Sequence, residues 1–266
     1  KESYGDGWRF IKFLELGLSA DTDMADHVSE LHDLTFLSNS DAHSPWPNKL
    51  GREFNVLKMA EPSFQEFKAC IERRNQRRVA LNIGLDPREG KYHKTRCRKC
   101  LTFYDPETAL KLNWRCPLCG GIIKKGVDYR IKELSDLEQA KHPSHRPPYL
   151  HIIPLSEIIA LAIGTKSVFT NTVQSLWFKL VKTFNTEINV LLNAPINEIS
   201  KVHESVGLFV QHFREGKIQY IPGGAGVYGK LIPPGKEQEL ENIKVFNQPV
   251  ENFKQKNQKK FKALRI

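Results

Sequence analysis

The chain has 266 residues, 40% hydrophobic and 26% charged, a balance that excludes wholesale disorder and allows one large domain or two small ones. No apolar run approaches the roughly 18 residues needed to span a bilayer, which excludes a membrane protein, and no signal-like apolar segment follows Lys1. The formal charge is +10, and five cysteines are too few to staple a chain of this size, so a reducing, cytoplasmic setting is expected.

Residues 1–86 read as α/β. The pattern from Asp21 to His32 predicts a helix, and the apolar run Leu34 to Ser38 a buried strand. A second helix is predicted from Pro62 to Arg74, with Phe64, Phe67, Cys70 and Ile71 at helical spacing, which makes Cys70 a core residue. Residues 87–130 change to Gly, Cys, Lys and Pro with little apolar periodicity, a small module expected to have no core of its own. Residues 131–154 read as a linker, because prolines crowd His142 to Pro148. Residues 155–234 read as helical with a terminal glycine hairpin. Val173, Leu176, Trp177, Leu180, Val181 and Phe184 line one helix face, and Ile199, Val202, Val206, Phe209, Val210 and Phe213 line another. Residues 235–266 form a basic tail expected to be mobile.

The charge is unevenly placed. Lys1 to Ser40 carries three basic and eight acidic residues, whereas Glu66 to Lys99 carries eleven basic and four acidic. A concentrated basic stretch is the electrostatic footprint of a polyanion such as DNA; the plainer reading is a solvated helix face. Arg73, Arg74, Arg77, Arg78 and Lys91 are the candidates for that contact.

The most specific chemical signal is Cys97-x-x-Cys100 followed by Cys116-x-x-Cys119, two knuckles that place four thiolates around one tetrahedral Zn²⁺. Four thiolates leave no open coordination position, so the module is a structural zinc ribbon in which metal ligation substitutes for a core. A second signal is Asp41-Ala42-His43, directly after the predicted strand Leu34 to Ser38. If that strand continues, both side chains point to the same side, where a carboxylate and an imidazole suit a catalytic divalent metal. Asp41 capping a helix is the plainer alternative. Gly224 to Leu231 falls short of a phosphate-binding P-loop, because Leu231 replaces the required Ser or Thr and Pro233-Pro234 preclude a following helix; ATP is therefore not expected. Gly224, Gly226 and Lys230 could instead meet DNA backbone, or could simply form a hairpin turn. His93 reads as a surface histidine in a basic loop, and Tyr92 as an aromatic that could stack on a base.

Leu14 to Asp21, Leu37 to Ser44 and Lys49 to Glu53 together resemble the last part of a PHP-type metallophosphoesterase domain. Adding Glu89-Gly90-Lys91-Tyr92-His93, the ribbon, Pro154 to Ile159 and Pro222 to Lys230, in that order, the chain resembles the endonuclease Q family over roughly residues 10–232. The resemblance implies an α/β fold, the C-terminal part of a distorted β/α barrel, joined to a zinc ribbon and a helical domain that helps hold DNA. It implies a metal-dependent DNA-repair endonuclease that nicks 5′ to deaminated bases such as uracil and hypoxanthine, and at abasic sites, using Zn²⁺, Mn²⁺ or Mg²⁺ in a catalytic cluster. Asp41 and His43 match the family's final metal-binding motif, and His93 is placed near the active site as a catalytic candidate. The family's earlier His-x-His and Glu/His motifs have no counterpart here, so the resemblance implies a C-terminal part that is catalytically incomplete alone. A non-catalytic zinc-ribbon module that binds nucleic acid is the competing reading. A PHP phosphatase of small phosphomonoesters gives the ribbon and helices nothing to do. Gln258 to Leu264 faintly resembles a sliding-clamp-binding peptide that lacks its terminal aromatic pair.

Overall fold

In a computed structural model, which describes residues 3–248, the α/β part rests on two short parallel strands, β1 (Phe13–Leu16) and β2 (Thr35–Ser38). All four residues of β2 are buried, as its apolar run predicts. The helix expected from Asp21 to His32 is broken. Asp21 caps α1 (Thr22–Ala25) by accepting from the Met24 amide at 2.9 Å, and only a 3₁₀ turn, Ser29–Leu31, follows. The reason lies far along the chain. Asp26 is fully buried and takes two hydrogen bonds from the Arg146 guanidinium at 2.8 and 3.0 Å and one from His142 at 2.8 Å. Removing one partner of such a buried pair costs about 3–5 kcal/mol, enough to override local helix propensity.

The same contacts correct the linker expectation. The stretch from residue 135 to 148 is laced to the α/β part: the Leu137 and Lys141 amides donate to the His27 and Asp26 carbonyls, and Arg146 is buried. α2 (Pro47–Leu50) and β3 (Phe54–Lys58) precede α3 (Phe64–Glu72), which is capped by Ser63 and buries Cys70 and Ile71 while leaving Phe64 exposed. β4 (Arg78–Gly84) pairs antiparallel with β3 and parallel with a strand that follows the supposed linker. The described strands make open sheets of two and three strands, not a closed ring.

The cysteine module carries β5 (Arg96–Cys97), α4 (Pro106–Lys111) and β6 (Ile123–Lys124), with β5 and β6 antiparallel. It does have a small core: Tyr104, Ala109 and Ile123 pack with Cys97, Cys116 and Phe246. Phe246 comes from the supposed mobile tail. Its ring stacks on Tyr104 at 5.2 Å, and the backbone of Phe103 pairs with Lys244 and Phe246. Residues 235–248 are thus part of the fold, while the clamp-like segment 258–264 lies outside the described residues. α5 (Val127–Leu134) and β7 (Tyr149–His151), the partner of β4, return the chain to the α/β part.

The helical unit comprises α6 (Leu155–Ala162), α7 (Asn171–Phe184), α8 (Glu187–Leu192), α9 (Ile196–Val202) and α10 (Glu204–Arg214), around a core that includes Ile158, Ile159, Leu180, Leu191 and Val206. The face read as one helix from Ile199 to Phe213 is two, because His203 is extended (φ −163°, ψ 115°). β8 (Gln219–Ile221) and β9 (Lys230–Ile232) form the expected hairpin, and α11 (Gln238–Glu241) follows. No helix among the described residues is long and apolar enough to cross a membrane.

Candidate active-site cleft and metal centre

The parallel register of β1 and β2 pairs Leu16 with Ser38, so the loops leaving both C-terminal ends emerge side by side. Ligands of α/β folds sit at such ends. Here the loops open a cleft of about 640 Å³ lined by Gly17 to Ala20 from one strand and Asp41, His43 and Ser44 from the other. β2 stops at Ser38, so alternation along a strand does not align Asp41 with His43. Asp41 turns through a left-handed backbone (φ 46°), and this brings its Oδ1 to 3.3 Å from His43 Nε2. Both side chains face solvent.

The loop owes its shape to Arg52, which sequence reading did not single out. Its guanidinium is buried and donates to the Ser40 carbonyl at 2.8 Å and the Asp41 carbonyl at 3.4 Å. Glu53 beside it is also buried; it accepts from the Ser38 hydroxyl and the Leu85 amide, and burial pushes its carboxyl up to about 7. Lys49, Lys91, Tyr92 and Tyr228 complete the rim. Asp41 is the single carboxylate among the described residues lining this cleft, so the surface around the Asp41–His43 pair is cationic and aromatic.

His93 is not a surface residue. It is buried, its Nδ1 lies 3.3 Å from the Ser19 carbonyl, and burial pulls its pKa down, so the ring stands neutral behind the cleft wall. The glycine loop packs on residues 88–96, and its glycines serve that contact. A Cβ on Gly224 would meet the Lys94 carbonyl oxygen at 2.4 Å, so this close approach requires glycine there. Gly226, at φ +90°, instead makes the turn, and its amide donates to the Lys91 carbonyl at 3.0 Å. Lys230 is ion-paired with Glu239, away from Asp41.

The Arg73–Arg78 stretch lies at the other end of β2. Arg73 donates to the Thr35 hydroxyl at 2.6 Å and the Asp33 carbonyl at 2.9 Å, at the start of the strand, whereas Asp41 follows its end. Arg77 pairs with Glu66 and Arg74 with Glu72. Much of the charge counted there is answered within the chain.

A second cleft, about 730 Å³, adjoins the first across a wall one residue thick: Asn48 and Lys49, Glu89 and Gly90, and Gly229 and Tyr228 face opposite sides. Glu89 is buried there with Oε1 unpartnered, and burial, reinforced by Glu157, raises its carboxyl well above the usual range. Burial also lifts Glu157, to about 6. Both glutamates lie in segments that carry the endonuclease Q resemblance, but the sequence does not single them out as a pair, because only the fold brings residues 89 and 157 together.

Among the described residues the one group of three or more candidate metal ligands is Cys97, Cys100, Cys116 and Cys119, whose sulfurs lie within 4.8 Å of one another. Cys97–Cys119 and Cys100–Cys116 are each 3.6 Å apart, close to the roughly 3.8 Å edge of a tetrahedron with metal–sulfur bonds of about 2.3 Å. The Tyr104 hydroxyl lies 3.0 Å from Cys116 Sγ. Four sulfur donors at these separations fit a soft dication.

A family profile described as the MJ0043 C-terminal domain matches residues 154–217. The chain is 53% identical over 224 residues to the uncharacterized protein MJ0043 of Methanocaldococcus jannaschii, covering 82% of this chain and 28% of that protein. It is 39% identical over 226 residues to YqxK of Bacillus subtilis, covering 84% of this chain and 53% of the relative. The chain therefore spans about a quarter to a half of these curated relatives. Among solved structures it is similar to the lesion-specific endonuclease PfuEndoQ of Pyrococcus furiosus (45% identity, TM-score 0.77), over 88% of this chain and 59% of that one. It is equally similar to an endonuclease Q in complex with a 27-mer duplex substrate with an abasic lesion at the active site (46% identity, TM-score 0.78), over 87% of this chain and 57% of that one.

Proposed function

We propose that this chain works within a DNA-repair endonuclease that hydrolyses the phosphodiester 5′ to deaminated bases such as uracil and hypoxanthine, or at abasic sites. The observation that carries the reading is the Asp41–His43 pair at the C-terminal ends of β1 and β2, in a chain 45–46% identical to endonuclease Q structures over most of its length. Asp41 Oδ1 and His43 Nε2 fit two adjoining positions around a divalent ion such as Zn²⁺, Mn²⁺ or Mg²⁺ in a PHP-type cluster. Such an ion, when bound, supplies an activated water and neutralises charge on the phosphate.

The remaining work falls to the chain's own residues. Arg52 fixes the loop that presents Asp41, and Lys49 and Lys91 hold the backbone phosphates at the rim. His93, neutral and bonded to the Ser19 carbonyl, positions the 17–20 loop. A lesion base swings over the thin wall into the second cleft, beside Glu89 and Asn48. Deaminated bases pair poorly, which lowers the cost of extrusion and contributes selectivity. The four cysteines hold one Zn²⁺ in a structural role.

Asp41 and His43 have no third histidine, cysteine or carboxylate donor grouped with them among the described residues. We therefore expect the 266-residue chain to bind lesion DNA without nicking it, since two ligands do not fix the geometry of a metal cluster. The test incubates this chain, and a protein in which it is continued to the length of its endonuclease Q relatives, with Mn²⁺ or Mg²⁺ and a duplex bearing one deoxyuridine. The longer protein is expected to nick, and Asp41→Ala or His43→Ala to abolish nicking while binding survives. Binding without nicking by the longer protein would leave the non-catalytic module as the correct reading.

A further inference from the structure

Tyr92 and Tyr228 are far apart in sequence and adjacent in space. Their backbones are pinned by rungs on both sides: the Gly223 amide donates to the Arg88 carbonyl at 2.7 Å, Lys94 to Gly223 at 2.9 Å, Gly226 to Lys91 at 3.0 Å and Gly229 to Glu89 at 2.9 Å. The Val127 amide holds the Tyr92 carbonyl from a third direction at 2.8 Å. On these fixed mounts the rings nevertheless stand in solvent, Tyr92 at 55% exposure and Tyr228 at 60%. The Lys91 ammonium lies 5.1 Å from the first ring and 5.6 Å from the second. All three residues stand on the rim of the cleft that holds Asp41 and His43.

A rigid pair of exposed aromatic faces beside a cation suits a ligand that combines a flat π-surface with a phosphate. One lysine ammonium covers at most one face of each ring and leaves both rings more than half exposed, and the basic rim disfavours a cationic ligand. We propose that Tyr92 and Tyr228 form a stacking platform for one unstacked nucleobase of the DNA strand, adjacent to the phosphate at Asp41–His43, with Lys91 meeting the neighbouring phosphate. The platform grips a base next to the lesion, on the near side of the wall, while the lesion base itself crosses it. Because every base has a π-face, the grip is indifferent to sequence, as a repair enzyme requires. The assignment rests on the nuclease reading and adds to it the residues that grasp the neighbouring nucleotide.

The experiment uses the 266-residue chain and a fluorescein-labelled duplex carrying one abasic site, with 5-iododeoxyuridine placed in turn at each flanking position. Anisotropy reports binding, and ultraviolet cross-linking, which iodouracil undergoes efficiently when stacked on an aromatic ring, reports the platform. The cross-link is expected in the peptide carrying Tyr92 or the one carrying Tyr228. Replacing both tyrosines with alanine should weaken binding about ten-fold or more and erase the cross-link, whereas Tyr→Phe at both positions keeps both signals. Zinc content and circular dichroism establish that each variant is folded. Cross-links mapping elsewhere in a bound wild-type complex, or phenylalanine variants as impaired as the alanine ones, would overturn the platform alone. Absence of wild-type binding in the anisotropy channel would overturn the nuclease reading together with it.

Discussion

Glu53 shows how single residues beneath the cleft set its behaviour. The carboxyl is buried under β2, so its charged form is disfavoured, and hydrogen bonds from Ser38 and Leu85 offset only part of that cost. A carboxyl near 4.5 in the unfolded chain and about 7 in the folded one favours folding most below 4.5, and that contribution is lost as pH rises towards 7. The loss amounts to something on the order of 3 kcal/mol. Denaturant unfolding at about pH 5 and about pH 8 should therefore show a larger fall in stability for wild type than for Glu53→Gln. Equal falls would mean that the buried carboxyl is not what titrates. Arg52, its neighbour, acts through geometry rather than titration: it spans the Ser40 and Asp41 carbonyls and keeps Asp41 in its left-handed turn. Neither role is legible in sequence, because Arg-Glu after a glycine looks like ordinary surface, and both depend on what β2 and β4 place above it.

At the scale of elements, legibility follows the range of the interactions involved. The α7 face was readable because its burial repeats every turn, and the four cysteines because one metal dictates their spacing. The broken helix after Asp21 was not, since the pair that breaks it, Asp26 and Arg146, is separated by more than a hundred residues. Nor was the split between α9 and α10, because the apolar stripe runs through the extended His203 without interruption. The ribbon was half legible. Its ligands were plain, but its core borrows Phe246, which pattern reading assigned to a free tail. That borrowing has a consequence for the metal. Phe246→Ala removes a ring packed on Tyr104 and the knuckles, a truncation that typically costs about 3–5 kcal/mol. Purified wild type should carry one zinc per chain by elemental analysis, and the variant should surrender it faster to a chromogenic chelator. Identical release rates would show that the segment merely rests on the ribbon, and absence of zinc that the four thiols serve another purpose.

Across the whole molecule, the net charge of +10 is a poor guide to the proposed DNA path, and the fold a better one. The densest run of arginines sits at the start of β2, with Arg73 bonding backbone and Arg77 and Arg74 facing their own glutamates. The cleft at the other end has fewer cations, but they surround two candidate metal ligands, two exposed tyrosines and the wall that borders a second cleft. The α/β part and the glycine hairpin contribute to that wall, and the helical unit lines the second cleft behind it through Glu157 and Ala160. The most direct test of this account is the salt dependence of lesion-duplex binding for two charge-removal variants. If the strand lies in the cleft, Lys49→Ser with Lys91→Ser should make the slope of log K against log salt shallower by about 1.8, at about 0.9 per phosphate contact, while Arg74→Ser with Arg78→Ser leaves it unchanged. A slope flattened only by the arginine pair would put the DNA at the opposite end of the sheet and contradict the account.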